Sequence, residues 1–299
     1  MQTTSTESPG NEERFWAKIA KRWQRVPLLI RAVVNGFAVF FVFQAGAGAL
    51  FVTNLSVLPN IPWSLPLGLA YLWLVFQFFN GRWGTTTSAR ARRQSMHARR
   101  LNPGERLPAF GAGLAVMLFI IATTIMSYRL VVIPSEEFPI DNMPWWSVYS
   151  ILILISVVAG VAEESGFRGY LQAPLEKRYG PIVAIGVSSI FFWLAHLNHA
   201  NGVPRIFALI IMGASLGALA WSTRSIYPAI IAHASVDTII FTGSVSGVGP
   251  SYLWEPLQLK ETGLDGFFWV VLAMIIVTGI GGALLLGNLR RITANDERA

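Results

Sequence analysis

Long apolar runs separated by short polar breaks dominate the chain. They fall near residues 32–53, 64–80, 109–130, 145–162, 181–198, 204–221, 225–243 and 266–287. Most approach the roughly 20 residues that a helix needs to cross the hydrocarbon core. The pattern predicts an all-α, polytopic membrane protein of about eight transmembrane helices. The second run is short and contains Pro66, which leaves its start open. Separate sixth and seventh spans require a very tight turn at Ser222 to Ser225. Residues 1–11 read as disordered. In the segment 12–26, Phe15, Trp16, Ile19, Trp23 and Val26 recur at helical spacing, with Lys18, Lys21, Arg22 and Arg25 between them. This fits an amphipathic helix in a lipid headgroup layer, or simply the basic flank of the first span. The expected organisation is a cytoplasmic segment 1–31, a transmembrane domain 32–287 and a cytoplasmic tail 288–299.

Composition agrees with lipid as the solvent. Hydrophobic residues make up 53% of the 299 positions and charged residues 13%, about half the charged share of an ordinary soluble domain. The absence of cysteine excludes disulfides, thiolate zinc sites and a cysteine nucleophile. The net charge of +7 follows from topology and not from nucleic-acid binding. With the N-terminus inside and eight spans, 20 of the 23 Lys and Arg fall in cytoplasmic segments. Arg129, Arg205 and Lys260 are left outside. That asymmetry places both termini in the cytoplasm by the positive-inside rule, with the plasma (cell inner) membrane as the expected location. Trp63, Trp145, Trp146 and Trp254 sit near the outer ends of spans, where interfacial anchors belong.

Ionisable residues inside spans are costly and therefore informative. Here they gather in the second half of the chain: Glu163, Glu164 and Arg168, then His196, then His233 and Asp237. Glu164 and Arg168 are four apart and can pair on one helix face, which turns Glu163 towards something else. His233 and Asp237 share a face in the same way, and His196 follows Phe192 by one turn. If the fourth helix runs on to a reversal at Tyr179–Gly180, Glu163 lies 17 residues before Gly180 and His196 lies 16 after it. Equal distances from a turn mean equal depth, so the two can face each other within the membrane. His97, in the basic loop, reads as a solvated bystander, and His199 as outside the cluster.

These residues resemble the CPBP family of intramembrane proteases. That group includes the Ras-converting CAAX endopeptidase and the bacteriocin-immunity (Abi) proteins. Glu163-Glu164-Ser165-Gly166-Phe167-Arg168 matches the EExxxR motif, Phe192 to His196 matches FxxxH, and His233 opens the third motif. That motif ends in Asn four residues on, where this chain has Asp237. The resemblance covers about 145–240, the expected catalytic core, and also implies eight spans. It implies catalytic roles for Glu163, Glu164, His196, His233 and Asp237, with Arg168 and Phe192 in support.

In the resulting expectation Glu163 is the general base, His196 positions the water, Arg168 holds Glu164, and His233 donates to the oxyanion. An ionised Asp237 cannot donate as Asn does. It can act if protonated, by accepting the other N–H of His233, or by binding a metal. Glu163, His196 and His233 are also plausible zinc ligands, so direct water activation and zinc catalysis both stay open at this point. The expected partners are the bilayer and a membrane protein or peptide, lipidated or not, as substrate. Substrate identity and oligomeric state are not legible, since Gly213 and Gly217 can pack helices within one chain or between two. A proton-coupled transporter and a non-catalytic immunity or scaffold protein are the competing classes.

Overall fold

Each apolar run lies in a helix of its own, and among the described residues there are no strands. The computed structural model describes residues 11–79, 82, 93, 96–131, 143–197, 202–246 and 258–296. Residues 1–10, His199, Trp254 and most of the basic loop between the second and third spans lie outside the described residues, as does the side chain of Trp16. In chain order the helices are α1 (Asn11–Gln24), α2 (Leu28–Ser56), α3 (Ser64–Phe79), α4 (Pro103–Leu130) and α5 (Trp145–Glu163). A π-helical segment (Glu164–Gln172) follows, then α6 (Ala173–Tyr179), α7 (Pro181–Ala195), α8 (Val203–Thr223), α9 (Tyr227–Ser246), α10 (Leu259–Thr262) and α11 (Gly266–Asp296).

Among the described residues, five stretches are long and apolar enough to cross a membrane: α2, α4, the continuous α5–π–α6 rod of 35 residues, α8 and α11. α3 and α7 are apolar but shorter, and α9 carries His233 and Asp237. The outward faces match a lipid solvent. On α11, Val270, Val277, Ile280 and Leu284 are each at least 58% exposed. No soluble fold leaves so continuous an apolar face to water. The chain is an integral membrane protein.

Local chemistry explains where the helices stop. Pro66 sits in the first turn of α3, where a missing N–H costs nothing. Gly180, at φ +80°, reverses the chain between α6 and α7. The tight turn at Ser222 to Ser225 is closed by Arg224 in the left-handed region at φ 50°. There the Thr223 hydroxyl donates to the Ser225 carbonyl at 2.8 Å. Gly213 meets Ser189, and Gly217 meets Ile185 and Gln172, so both glycines serve packing inside this chain.

The loop before α4 differs from expectation. His97 is not a solvated bystander. It adopts φ 51°, and its carbonyl accepts the Ile226 N–H at 3.2 Å. Next to it, Arg99 forks onto the buried Glu105 at 2.9 and 2.7 Å and donates to the Thr223 carbonyl at 2.8 Å. The Ser225 hydroxyl donates to the Arg99 carbonyl at 2.7 Å. The loop thus clasps the α8–α9 turn and fixes where α9 begins.

Burial, with Lys177, Arg224 and Arg99 nearby, pushes the His97 imidazole down to about 4. As pH falls from 6.5 towards 4 the unfolded chain takes up a proton that the folded chain refuses, so stability is lost across that window. The loss should reach about 1–2 kcal/mol by roughly pH 5. Melting curves of the protein in mild detergent should show it, and His97→Asn, which tolerates the left-handed backbone, should flatten the dependence.

Arg168, expected inside the span as the partner of Glu164, is one of the largest fully buried side chains. On the opposite face the buried Arg129 pairs with Asp265 at 2.8 Å, tying the end of α4 to the start of α11. Arg129 holds the half-buried Asp265 carboxyl below its ordinary range.

Candidate active site

The site forms where α5, the π segment, α7 and α9 meet. Two close approaches set its geometry. A Cβ on Gly160 would lie 3.1 Å from the Ile230 carbonyl and from the Ala234 nitrogen, so α5 and α9 touch backbone to backbone there. One turn further on, Glu163 and Glu164 arrive beside His233. A Cβ on Gly166 would lie 2.7 Å from the Gly36 carbonyl, so α2 presses the π segment from behind. A bulkier residue at either glycine would separate the helices.

The carboxylates occupy the junction itself. Glu163 is the last residue of α5, and Glu164 opens the π segment. π-helical turns favour functional sites because they re-aim side chains inside an otherwise regular helix. The segment ends with the Ala173 N–H bonded to the Arg168 carbonyl, five residues back, just before Pro174. Pro174 has no N–H to offer an α-helical ladder.

α7 then runs back from Gly180. The Ser188 hydroxyl donates to the Phe167 carbonyl at 3.0 Å, and the rings of Phe167 and Phe192 meet at 5.5 Å. Continuing this ladder, His196 Nε2 lies 3.5 Å from Glu163 Oε2. His233 Nε2 lies 3.8 Å from the same oxygen. Asp237 Oδ2 lies 3.5 Å from His233 Nε2. The structure therefore brings together Glu163, Glu164, His196, His233 and Asp237, with Arg168 and Phe192 in contact with them.

Hydrogen bonding assigns the ring nitrogens. His196 Nδ1 lies 2.8 Å from the Phe192 carbonyl. A carbonyl only accepts, so Nδ1 carries the proton and Nε2 is directed to Glu163. His233 Nδ1 lies 2.8 Å from Glu164 Oε1, which also accepts from Arg168 Nη1 at 2.8 Å. An oxygen held by a guanidinium is an acceptor, so His233 Nδ1 donates to it. The ring of His233 is thus oriented by Glu164 and not by Asp237, whose 3.5 Å separation exceeds a hydrogen bond.

Arg168 is fixed in turn by donating to the Gly213 carbonyl at 2.8 Å. One turn on, Gln172 repeats the move, donating to the Gly217 carbonyl at 2.9 Å. Phe192 does more than line the wall. Its ring lies 4.6 Å from that of His196 and 5.9 Å from that of His233, with the Arg168 guanidinium 4.8 Å above it.

Burial grades the site. The side chains of Glu164 and Arg168 are 0% exposed and His233 is 2% exposed, whereas Asp237 reaches 14% and His196 21%. The ion pair forms the floor, and His196 and Asp237 form the rim where a substrate can enter.

Glu163 Oε2 and the Nε2 atoms of His196 and His233 are donor types that zinc accepts, although among the described residues no group of three or more His, Asp or Glu forms a ready-made metal site.

A helical membrane protein with a buried carboxylate–histidine centre is the class that fold and site define. Comparison with family models goes further. Residues 144–239 match the Rce1-like family, described as type II CAAX prenyl endopeptidase Rce1-like. That stretch is an Rce1-like domain, and the family is one of CAAX-type intramembrane proteases. Searches of curated proteins and of solved structures returned no match.

Sequence reasoning missed the π segment, the Gly213 and Gly217 carbonyls as anchors, and Ser188. Gly166 and Gly169 before Pro174 were the visible signs of an interrupted helix. Nothing in residue type marks a backbone carbonyl as the partner of a particular arginine.

Proposed function

We propose that the chain is an intramembrane endopeptidase that hydrolyses a peptide bond of a membrane-associated protein or peptide, using water activated between Glu163 and His196. The observation that carries this reading is the convergence of Glu163 Oε2 with the Nε2 atoms of His196 and His233, at 3.5 and 3.8 Å, inside an apolar helix bundle. Glu163 and the unprotonated Nε2 of His196 both accept hydrogen bonds. A water lying off the line between them can donate to both, which fixes its lone pair for attack. The 3.5 Å separation is tighter than the roughly 4–6 Å expected for a bridging water on that line.

In the reaction, the water passes one proton to Glu163 while its oxygen bonds to the scissile carbonyl carbon. The carbonyl oxygen becomes an oxyanion. His233 donates to it from Nε2, and because Nδ1 stays on Glu164 this requires the doubly protonated ring. Glu164, Glu163 and Asp237 surround that cation with negative charge. Collapse of the tetrahedral intermediate breaks the C–N bond, and Glu163 returns its proton to the leaving nitrogen. Asp237 replaces the amide donor of the family pattern with a carboxylate, so oxyanion stabilisation rests on His233 alone.

The charge asymmetry supports both termini in the cytoplasm of a cell inner membrane. The substrate is a membrane-anchored chain, and a prenylated CAAX-type peptide is the first to try. The test is cleavage of such a peptide, and of an unprenylated lipid-anchored control, by the purified protein in liposomes. Cleavage should persist in 1,10-phenanthroline. Cleavage lost to the chelator and restored by zinc would overturn the metal-free mechanism. No cleavage of either peptide, with a proton flux across the same liposomes, would favour a carrier.

A further inference from the structure

Outside the catalytic bundle, α1 presents a surface that the proteolytic reading does not use. Phe15, Ile19 and Trp23, each four residues apart, form one apolar stripe and are 56%, 42% and 37% exposed. On a helix of 100° per residue, Lys18 and Arg22 lie along one edge of that stripe, and Lys21 lies beyond them. All three cations are exposed. Val26, expected on the same face, lies past the end of the helix.

We propose that α1 lies flat in the headgroup layer of the protein's own bilayer, and that anionic phospholipid is what holds it there. The chain itself argues for lipid as occupant. Only residues 25–27 separate α1 from α2, whose first turn already exposes Leu29 and Ile30 to the hydrocarbon. α1 is therefore tethered at the membrane surface, where the lipid is always at high effective concentration. The stripe can bury its three large side chains at the acyl boundary, and the cations along its edge then reach phosphate oxygens. Anionic headgroups complement that charge, and zwitterionic ones leave it uncompensated.

The chain contains no cysteine, so one introduced by Ile19→Cys can carry an environment-sensitive fluorophore without background. Lys21→Cys provides a control on the polar face. The full-length labelled protein is placed singly in nanodiscs of pure phosphatidylcholine, or of phosphatidylcholine with about a third phosphatidylglycerol. In the anionic discs the label at 19 should shift to the blue, and lipid-borne quencher should quench it about twofold more than in neutral discs. The label at 21 should stay aqueous in both. At about 1 M salt, where the screening length shrinks to roughly 3 Å, the lipid dependence should vanish. Replacing Lys18, Lys21 and Arg22 by Gln should abolish it at low salt. Equal burial in neutral and anionic discs would overturn the requirement for anionic lipid. A label at 19 that stays aqueous in both would overturn the docking itself. Burial that depends on protein concentration instead would mean a second copy covers the stripe, and would overturn the proposal too.

Discussion

Glu163→Gln is expected to lower the rate of peptide cleavage by about a thousandfold, with KM and the fold preserved. Removing a general base costs 10²–10⁴-fold in typical cases. The position here has no substitute, because the other carboxylates are committed or distant. Glu164 is held by Arg168 and His233, and Asp237 sits on the far side of His233 at the rim. The amide fills the same volume, so the contacts of α5 with α9 at Gly160 are untouched. Melting temperature should hold or rise, since one of several crowded negative charges is gone. The measurement is a single-turnover rate with the liposome substrate, beside a thermal melt. A variant that keeps more than about a tenth of the wild-type rate would remove Glu163 from the role of base. A variant that cleaves nothing yet sustains the protein's biological role in cells would favour a scaffold.

The contrast between Glu163 and Glu164 shows how far the sequence could be read. Four-residue spacing correctly paired Glu164 with Arg168, because an i,i+4 relation is a local property of any helix. Equal counts from Gly180 placed Glu163 and His196 at one depth, because a hairpin of two helices has only one free parameter. The third partner, α9, is a different case. Its contact with α5 depends on Gly160 meeting Ile230 and Ala234, seventy residues apart in sequence, and no local rule connects them. For the same reason, attention went to Asp237 as the orienter of His233, while Glu164 holds that ring. The π segment escaped notice because a hydrophobic period of 4.4 over nine residues differs too little from 3.6 to be seen. His97 was misplaced through the assumption that charge near a span's end belongs to water. It is half-buried instead, with its carbonyl held by the Ile226 N–H.

Arg168→Met should destabilise the protein by about 3–5 kcal/mol, the usual cost of leaving one member of a buried ion pair uncompensated. Three contacts fail at once: the bond to Glu164 at 2.8 Å, the bond to the Gly213 carbonyl at 2.8 Å, and the packing of the guanidinium over Phe192. Most of the penalty comes from the stranded charge on Glu164, and that part is separable. In the double variant Glu164→Gln/Arg168→Met no carboxylate is left unpaired, and the glutamine can still accept from His233 Nδ1. About half of the lost stability should return. Activity should not return with it. Without a charged Glu164, His233 keeps an acceptor at Nδ1 but loses the negative charge that supports the doubly protonated ring, so the oxyanion loses its donor, at a cost of about 10²–10³ in kcat. A double-mutant cycle in thermal stability, run beside cleavage rates, separates the two effects. If stability and activity recover together, the pair is a packing device and His233 takes its orientation from elsewhere. If stability recovers and activity stays low, the buried pair serves the chemistry by setting the charge and direction of one imidazole. That would account for keeping an arginine fully buried in a bundle whose packing alone would be served as well by methionine.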